Sequence, residues 1–301
     1  MSSGPLVLVV GATGKFAHLV VPALRSRGAV VRALVRDERK AQIARAAGAE
    51  EVAIGDLRDT ASLDRALAGA HGVFHIGPAF ATDEAQMGVA LVKSAERANV
   101  EKFVFSSVNQ PTNLELRHHV AKVPVESAIY NSRLRYAILQ PSNLMQNLAP
   151  AWPAIVSSRI LAEPFPADVR IARVDYRDVA DVAAIALTES RLDYSTLSLS
   201  GEMHNRSEMA AMIAEAIGEP VEARTVPFNE WVAATHPPYG APELELLATV
   251  YDHYARYGLG GNSLCLSAAL ERQPRSLRAF IGECAQSLAP SRARSAFSRT
   301  Q

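Results

Sequence analysis

Apolar residues recur at two spacings along the first half of the chain. The short runs VLVV (7–10), VVRALV (30–35), EEVAI (50–54), GVFHI (72–76), KFVFSS (102–107) and RYAILQ (135–140) are apolar at consecutive positions, the pattern of parallel strands buried on both faces. Between them, 14–27, 38–47, 60–68, 83–98 and 118–132 carry apolar residues at helical spacing. Gly28, Gly48, Gly69 and Asn99 fall where each helix should stop. Six strands joined by five helical crossovers predict an α/β fold built on a doubly wound parallel sheet.

Beyond Pro141 the pattern loosens. Five prolines, Pro141, Pro150, Pro153, Pro164 and Pro166, punctuate a stretch with one helix. A strand near 170–174, a helix at 178–188, a strand at 196–200, a helix at 206–217 and a strand near 221–226 follow, and Trp231 to about Leu288 reads as mostly helical. These pieces are too small for a second independent core and predict a smaller α+β lobe roofing the sheet. The expected division is a sheet domain at 1–141, a substrate-binding lobe at 142–290 partly interleaved with it, and a flexible tail at 291–301.

Charge removes some classes of partner. Lys+Arg and Asp+Glu both total 31, so no overall field favours nucleic acid or membrane. Only the tail, with Arg292, Arg294 and Arg299, is locally basic, and it reads as a frayed terminus. The two cysteines, Cys265 and Cys284, offer neither metal spacing nor a disulfide framework. No apolar run approaches the ~18 residues of a membrane span. The expectation is a soluble cytoplasmic monomer or homodimer that takes a small-molecule substrate and no metal.

The most informative stretch is PLVLVVGATGKFA (5–17), a strand running into a glycine turn. Gly11 permits a tight exit from the sheet, Gly14 removes a side chain where backbone must approach a ligand, and Ala17 permits close packing of helix on strand. The free N–H groups at such a helix start bind a diphosphate. Sheets of this kind bind ligands beyond the carboxyl ends of their strands, so Gly11, Thr13, Gly14, Lys15 and Phe16 should share a cleft with Arg36, Asp56, Ile76–Pro78 and Ser106–Asn109.

Where NAD-preferring proteins carry an acidic residue, the second strand here ends in Arg36, with Lys40 close behind. A guanidinium suits a 2′-phosphate, and Lys15 is within reach of the same group, so the cofactor predicted is NADP(H). Asp37 either joins this site or caps the following helix. Asp56 either accepts from the adenine amino group or caps helix 60–68, and Leu57 follows it. Ile76, Gly77 and Pro78 are expected to line the diphosphate and nicotinamide-ribose path.

With Gly11-Ala12-Thr13-Gly14, Val35-Arg36, Gly55-Asp56-Leu57 and Lys122 in order, the chain resembles the NmrA-like group of atypical short-chain dehydrogenases/reductases. LRYAILQPSNLMQN (134–147), DYRDVADVAAIAL (175–187) and SLSGEMHNRSEMAAMIAEAIGEPV (198–221) extend the likeness nearly end to end. The resemblance implies an extended Rossmann-like fold holding NADP(H). Short-chain dehydrogenases generally place Tyr-x-x-x-Lys on the fifth crossover helix; here Lys122 stands at the lysine position and His118 at that of the tyrosine, which is absent. Lys122 would then hold the nicotinamide ribose, and His118 would donate a proton near neutral pH, unless it is merely a polar residue on an exposed turn. The family serine falls in Ser106-Ser107-Val108-Asn109: Ser107 is the catalytic candidate, Ser106 lies on the cofactor path and Asn109 faces substrate. Pro141 and Asn143 are expected beside the nicotinamide, and Met145 and Asn147 beside the substrate. The function so implied is NADPH-dependent reduction of a small carbonyl, quinone or enone; the alternatives are a non-catalytic NADP(H) sensor, or an isomerase or lyase on the same fold.

Overall fold

The structure, a computed structural model, describes residues 4–287; the tail expected at 291–301 lies outside the described residues. The first half alternates β1 (Leu6–Val10), α1 (Val20–Ser26), β2 (Val30–Val35), α2 (Glu38–Ala46), β3 (Glu51–Ile54), α3 (Thr60–Leu67), β4 (Gly72–Ile76), α4 (Glu84–Arg97), β5 (Lys102–Ser106), α5 (Arg117–Val120), α6 (Val123–Tyr130) and β6 (Arg135–Pro141). Next come β7 (Asn143–Leu144), α7 (Trp152–Ser158), β8 (Ile160–Glu163), β9 (Ile171–Val174), α8 (Tyr176–Thr188), β10 (Ser195–Leu199) and β11 (Met203–His204). The chain ends with α9 (Arg206–Ile217), β12 (Glu222–Thr225), α10 (Phe228–Thr235), α11 (Ala241–Tyr257), α12 (Leu264–Leu270) and α13 (Leu277–Ser287).

Seven parallel strands form the main sheet in the order β10-β6-β5-β4-β1-β2-β3. Both faces are covered, as a consecutively apolar strand demands: Val7 and Val9 of β1 pack into the core under α1 and α8, while Leu8 and Val10 pack into the core under α3, α4 and α6. The strand expected at 196–200 is β10, and it joins this main sheet instead of the lobe, pairing along β6 from Ser195↔Ala137 to Leu199↔Pro141. The helix before it, α8, carries ten buried residues and packs against α1. Lys102 fastens this return. Its buried ammonium lies 2.7 Å from Asp193 Oδ1 and donates to the carbonyls of Ala186, at 3.1 Å, and Glu189.

The lobe therefore comes from two separate segments, 142–174 and 200–287, although α12 within the second packs back onto α8 and β10 in the sheet's core, and contrary to expectation the rest forms apolar clusters beside that core. One gathers Met145, Trp152, Ile155, Met209, Ile213, Phe280 and Ile281 from α7, α9 and α13. The other joins Leu116 to Phe165, Ile171, Val250, Tyr254 and Leu259. Two helices are shorter than the spacing predicts, each because of a proline. Pro22 would clash inside a helix over 14–27; instead a single 3₁₀ turn at Ala17–Leu19 precedes α1, leaving Pro22 in the first turn. Pro124 likewise splits 118–132 into α5 and α6, with Lys122 at the N-cap of the second.

Candidate cofactor and active site

The glycine turn lies at the carboxyl end of β1. Gly11 has φ +78°, a conformation that favours glycine, and the Gly14 amide donates to its carbonyl at 2.7 Å. A Cβ on Gly14 would stand 3.0 Å from that oxygen, so bare backbone is presented there. The helical N-terminus expected at Gly14 is absent, because Pro22 delays α1 to Val20. Phe16 packs against the buried ring of Tyr176, 5.2 Å between centroids. Exposed Lys15 reaches across to the lobe, donating to Asn147 Oδ1 at 2.9 Å. Thr13 is half-buried.

At the end of β2, Arg36 is exposed, and neither it nor Lys40 has a side-chain hydrogen bond or ion pair among the described residues. Asp37 caps α2, accepting from the Lys40 amide at 2.8 Å, so of its two readings the structure takes the cap. Asp56 does not cap α3. Asp59 does, through the Ala61 amide at 3.0 Å, while Asp56 accepts from the Arg58 amide in a tight turn beside Leu57.

The end of β4 carries the densest electrostatics. Ile76 packs against Gly11, and Gly77 and Pro78 follow. Behind Gly77 lies the buried side chain of Glu84, whose Oε1 is 2.6 Å from the equally buried Lys122 Nζ. Burial lowers the Lys122 pKa and the Glu84 charge opposes that; burial raises the Glu84 pKa and the Lys122 charge opposes that.

Three imidazoles surround the pair. Burial first, then the Lys122 charge, holds His118 down at about 2 and His75 at about 3. His119, also held down by burial, sits at about 4 and donates Nδ1–H to the Asn109 carbonyl at 2.7 Å. His118 is therefore a neutral ring, not the near-neutral titrating acid expected, and it is not an exposed polar turn residue either. It packs on Phe80 at 4.1 Å between centroids, and Phe80 packs on Tyr239 at 5.2 Å.

The serines at the end of β5 face different partners. Ser106 Oγ accepts from Tyr176 at 3.1 Å. Ser107 Oγ donates to Glu126 Oε1 at 2.5 Å, an oxygen that also accepts from Gln140 at 3.0 Å. Glu126 borders an open cavity of about 620 Å³ reaching from Asn109 to Tyr130 and Ser198, on the β10 side of α6. Asn109 is buried, its side chain donating to the Gly260 carbonyl at 3.0 Å and its amide to Pro141 at 2.9 Å. Asn143 accepts from Arg173 at 2.8 Å. Met145 is packed into the lobe core, where sequence spacing put it beside a substrate.

The rim thus gathers Gly11, Gly14, Arg36, Asp56, Gly77, Ser106 and Pro141 at the carboxyl ends of neighbouring strands, with the buried Glu84–Lys122 pair behind Gly77 and Asn147 reaching over from the lobe. Glu84, Tyr176, Glu126, Gln146 and Asp175 were not legible as site residues. Gln146 ties the lobe to α8 by donating to Asp175 at 2.7 Å and accepting from the Tyr176 amide at 2.8 Å. An acidic residue opening the helix after β4 was the one available signal for Glu84.

An all-parallel, doubly wound sheet with a glycine turn after its first strand defines a Rossmann-type nucleotide-binding protein. More narrowly, the chain belongs to the NmrA-like family, whose model matches residues 4–281. The NAD(P)H azoreductase of Xenophilus azovorans is 31% identical over 220 residues, covering 72% of this chain and 75% of that one. The (4-alkanoyl-5-oxo-2,5-dihydrofuran-3-yl)methyl phosphate reductase of Streptomyces griseus is 26% identical over 289 residues, 95% and 100% of the two chains. In fold the chain is similar to the triphenylmethane reductase of Citrobacter sp. complexed with NADP(H), with a TM-score of 0.81, 23% identity and coverage of 92% and 99%. Among the described residues no helix is long and apolar enough to cross a membrane, and no cluster of metal-ligating side chains is present.

Proposed function

We propose that this chain is an NADPH-dependent reductase of a small carbonyl, quinone or enone. The observation that carries the reading is a buried lysine, Lys122, paired with Glu84 behind the rim of a cleft that also holds a glycine turn and an unpaired arginine. The residues fit the cofactor: Gly11 and Gly14 leave bare backbone for a diphosphate, and Arg36 is free to take a 2′-phosphate. Bound there, NADPH would supply a hydride to the substrate.

Lys122 holds the nicotinamide ribose in this reading, and its ammonium is the charged proton source behind the rim, since the surrounding imidazoles are neutral. His118, Phe80 and Tyr239 form an apolar wall that excludes water from the acceptor. Relatives named as reductases of azo and phosphate-bearing substrates support the oxidoreductase class.

The test is to incubate purified protein with NADPH and a panel of quinones, enones, aldehydes and azo dyes, following nicotinamide absorbance. Turnover that Lys122→Ala largely abolishes is the expected result. Tight NADPH binding without turnover on any acceptor would leave the sensor reading, which the missing tyrosine favours.

A further inference from the structure

The carboxylate that holds Lys122 has a role of its own. Glu84 is 2% exposed at the start of α4, and a Cβ on Gly77 would collide with its Oε1. The carboxylate therefore fills the space that a side chain at position 77 would occupy, directly behind the rim of the cleft. The titratable groups packed around Lys122 from other elements are His75 on β4 and His118 and His119 on α5, all uncharged. Among the described residues Glu84 is the one anion paired with it.

We infer that Glu84 is the positioning residue for Lys122, fixing its Nζ at the end of β4 and keeping it an ammonium. A buried ammonium without a counter-ion loses its proton or forces its way to solvent, and either would take Lys122 out of its place behind the rim. The consequence for catalysis rests on the reductase reading; the consequence for Lys122 ionisation does not.

The two are separated by reading the lysine directly. The chain has five lysines, Lys15, Lys40, Lys93, Lys102 and Lys122, so ¹³Cε-lysine spectra of the free protein are simple, and the Lys122 signal is assigned by its loss in Lys122→Met. In Glu84→Gln the Lys122 titration midpoint should fall by about one pH unit or more, the size an opposite charge at this range commands. Glu84→Asp, which sets the charge one methylene back, should displace it less in the same direction, and carries the test if the glutamine variant does not fold. The alkaline limb of NADPH turnover should move down with the midpoint, with kcat falling more than KM rises.

An unmoved midpoint overturns the inference. A moved midpoint with an unmoved alkaline limb upholds Glu84 as the residue that keeps Lys122 charged and overturns the consequence for catalysis. A wild-type protein that neither binds nor turns over NADPH overturns the reductase reading instead, and the midpoint remains readable.

Discussion

Lys15 and Asn147 meet across the mouth of the cleft, Nζ to Oδ1 at 2.9 Å, so the glycine turn is tied to the lobe. Sequence spacing put Lys15 within reach of the phosphate assigned to Arg36, whereas here its ammonium is engaged by Asn147. Lys15→Met should weaken NADPH and NADH alike, by about tenfold at most for one charge-assisted hydrogen bond, leaving their ratio unchanged. Paired titrations with the two cofactors check this, and a selective loss of NADPH would return Lys15 to the 2′-phosphate.

Arg36→Asp should act in the opposite way. Replacing an unpaired guanidinium by a carboxylate exchanges an attraction to the 2′-phosphate for a repulsion and offers the ribose hydroxyls an acceptor. The NADPH-to-NADH affinity ratio should fall by about a hundredfold, a change of roughly 3 kcal/mol for two charge-assisted bonds. A ratio that stays within threefold of wild type would remove Arg36 from the site.

The buried Glu84–Lys122 pair predicts a stability asymmetry. Lys122→Met strands a buried carboxylate and should cost about 3–5 kcal/mol, whereas combining it with Glu84→Leu should recover most of that, since two apolar groups need no counter-charge. Denaturant unfolding of the two variants measures it. Equal losses in both would mean that the pair is not buried in solution.

Gly77→Ala should destabilise by about 1–3 kcal/mol, because its Cβ would press on Glu84 and overpacking of a filled site costs this much. A second change, Glu84→Ala together with Lys122→Met, opens the space without stranding a buried ammonium and should restore the melting temperature while activity stays lost. Failure of the second change to restore stability would place the strain elsewhere.

The buried imidazoles set an acid limit. His75, His118 and His119 have pKa values lowered by burial to about 3, 2 and 4, so below the ordinary histidine value of 6.5 the unfolded chain binds protons that the folded chain does not. Stability should therefore fall as pH drops from about 6.5 toward 4, by up to about 4 kcal/mol per pH unit if all three remain neutral. His118→Phe should shallow that slope and leave the turnover profile between pH 5 and 8 unmoved. A slope unaffected by the substitution would mean that His118 is solvated.

The strands of the main sheet were legible because burial on both faces leaves an unmistakable run of apolar residues, and the glycines at helix ends marked the boundaries. What spacing missed has three physical sources. Pro22 and Pro124 sit in segments whose apolar periodicity continues through them, so the periodicity concealed where the helices must start. Strand β10 reads as half-polar STLSL because it is an edge, and nothing local says which sheet an edge strand joins. Glu84 and Tyr176 are placed by contacts between segments distant in sequence, Glu84 with Lys122 and Tyr176 with Ser106, which a pattern of neighbouring residues does not contain.

The return of the chain to the sheet at α8 and β10 makes the polypeptide pass between sheet and lobe at 141–142, 174–175 and 199–200, before α12 touches α8 and β10 once more, and the Ser142 amide donates to the Leu199 carbonyl at 3.0 Å to lash the first and third of these passages together. A chimera intended to transplant acceptor preference from a relative must therefore exchange 142–174 and the lobe parts of 200–287 as a matched set, keeping α12 with the sheet it packs on. A single splice at residue 141 would instead discard the sheet's outermost strand and the helix that covers its underside.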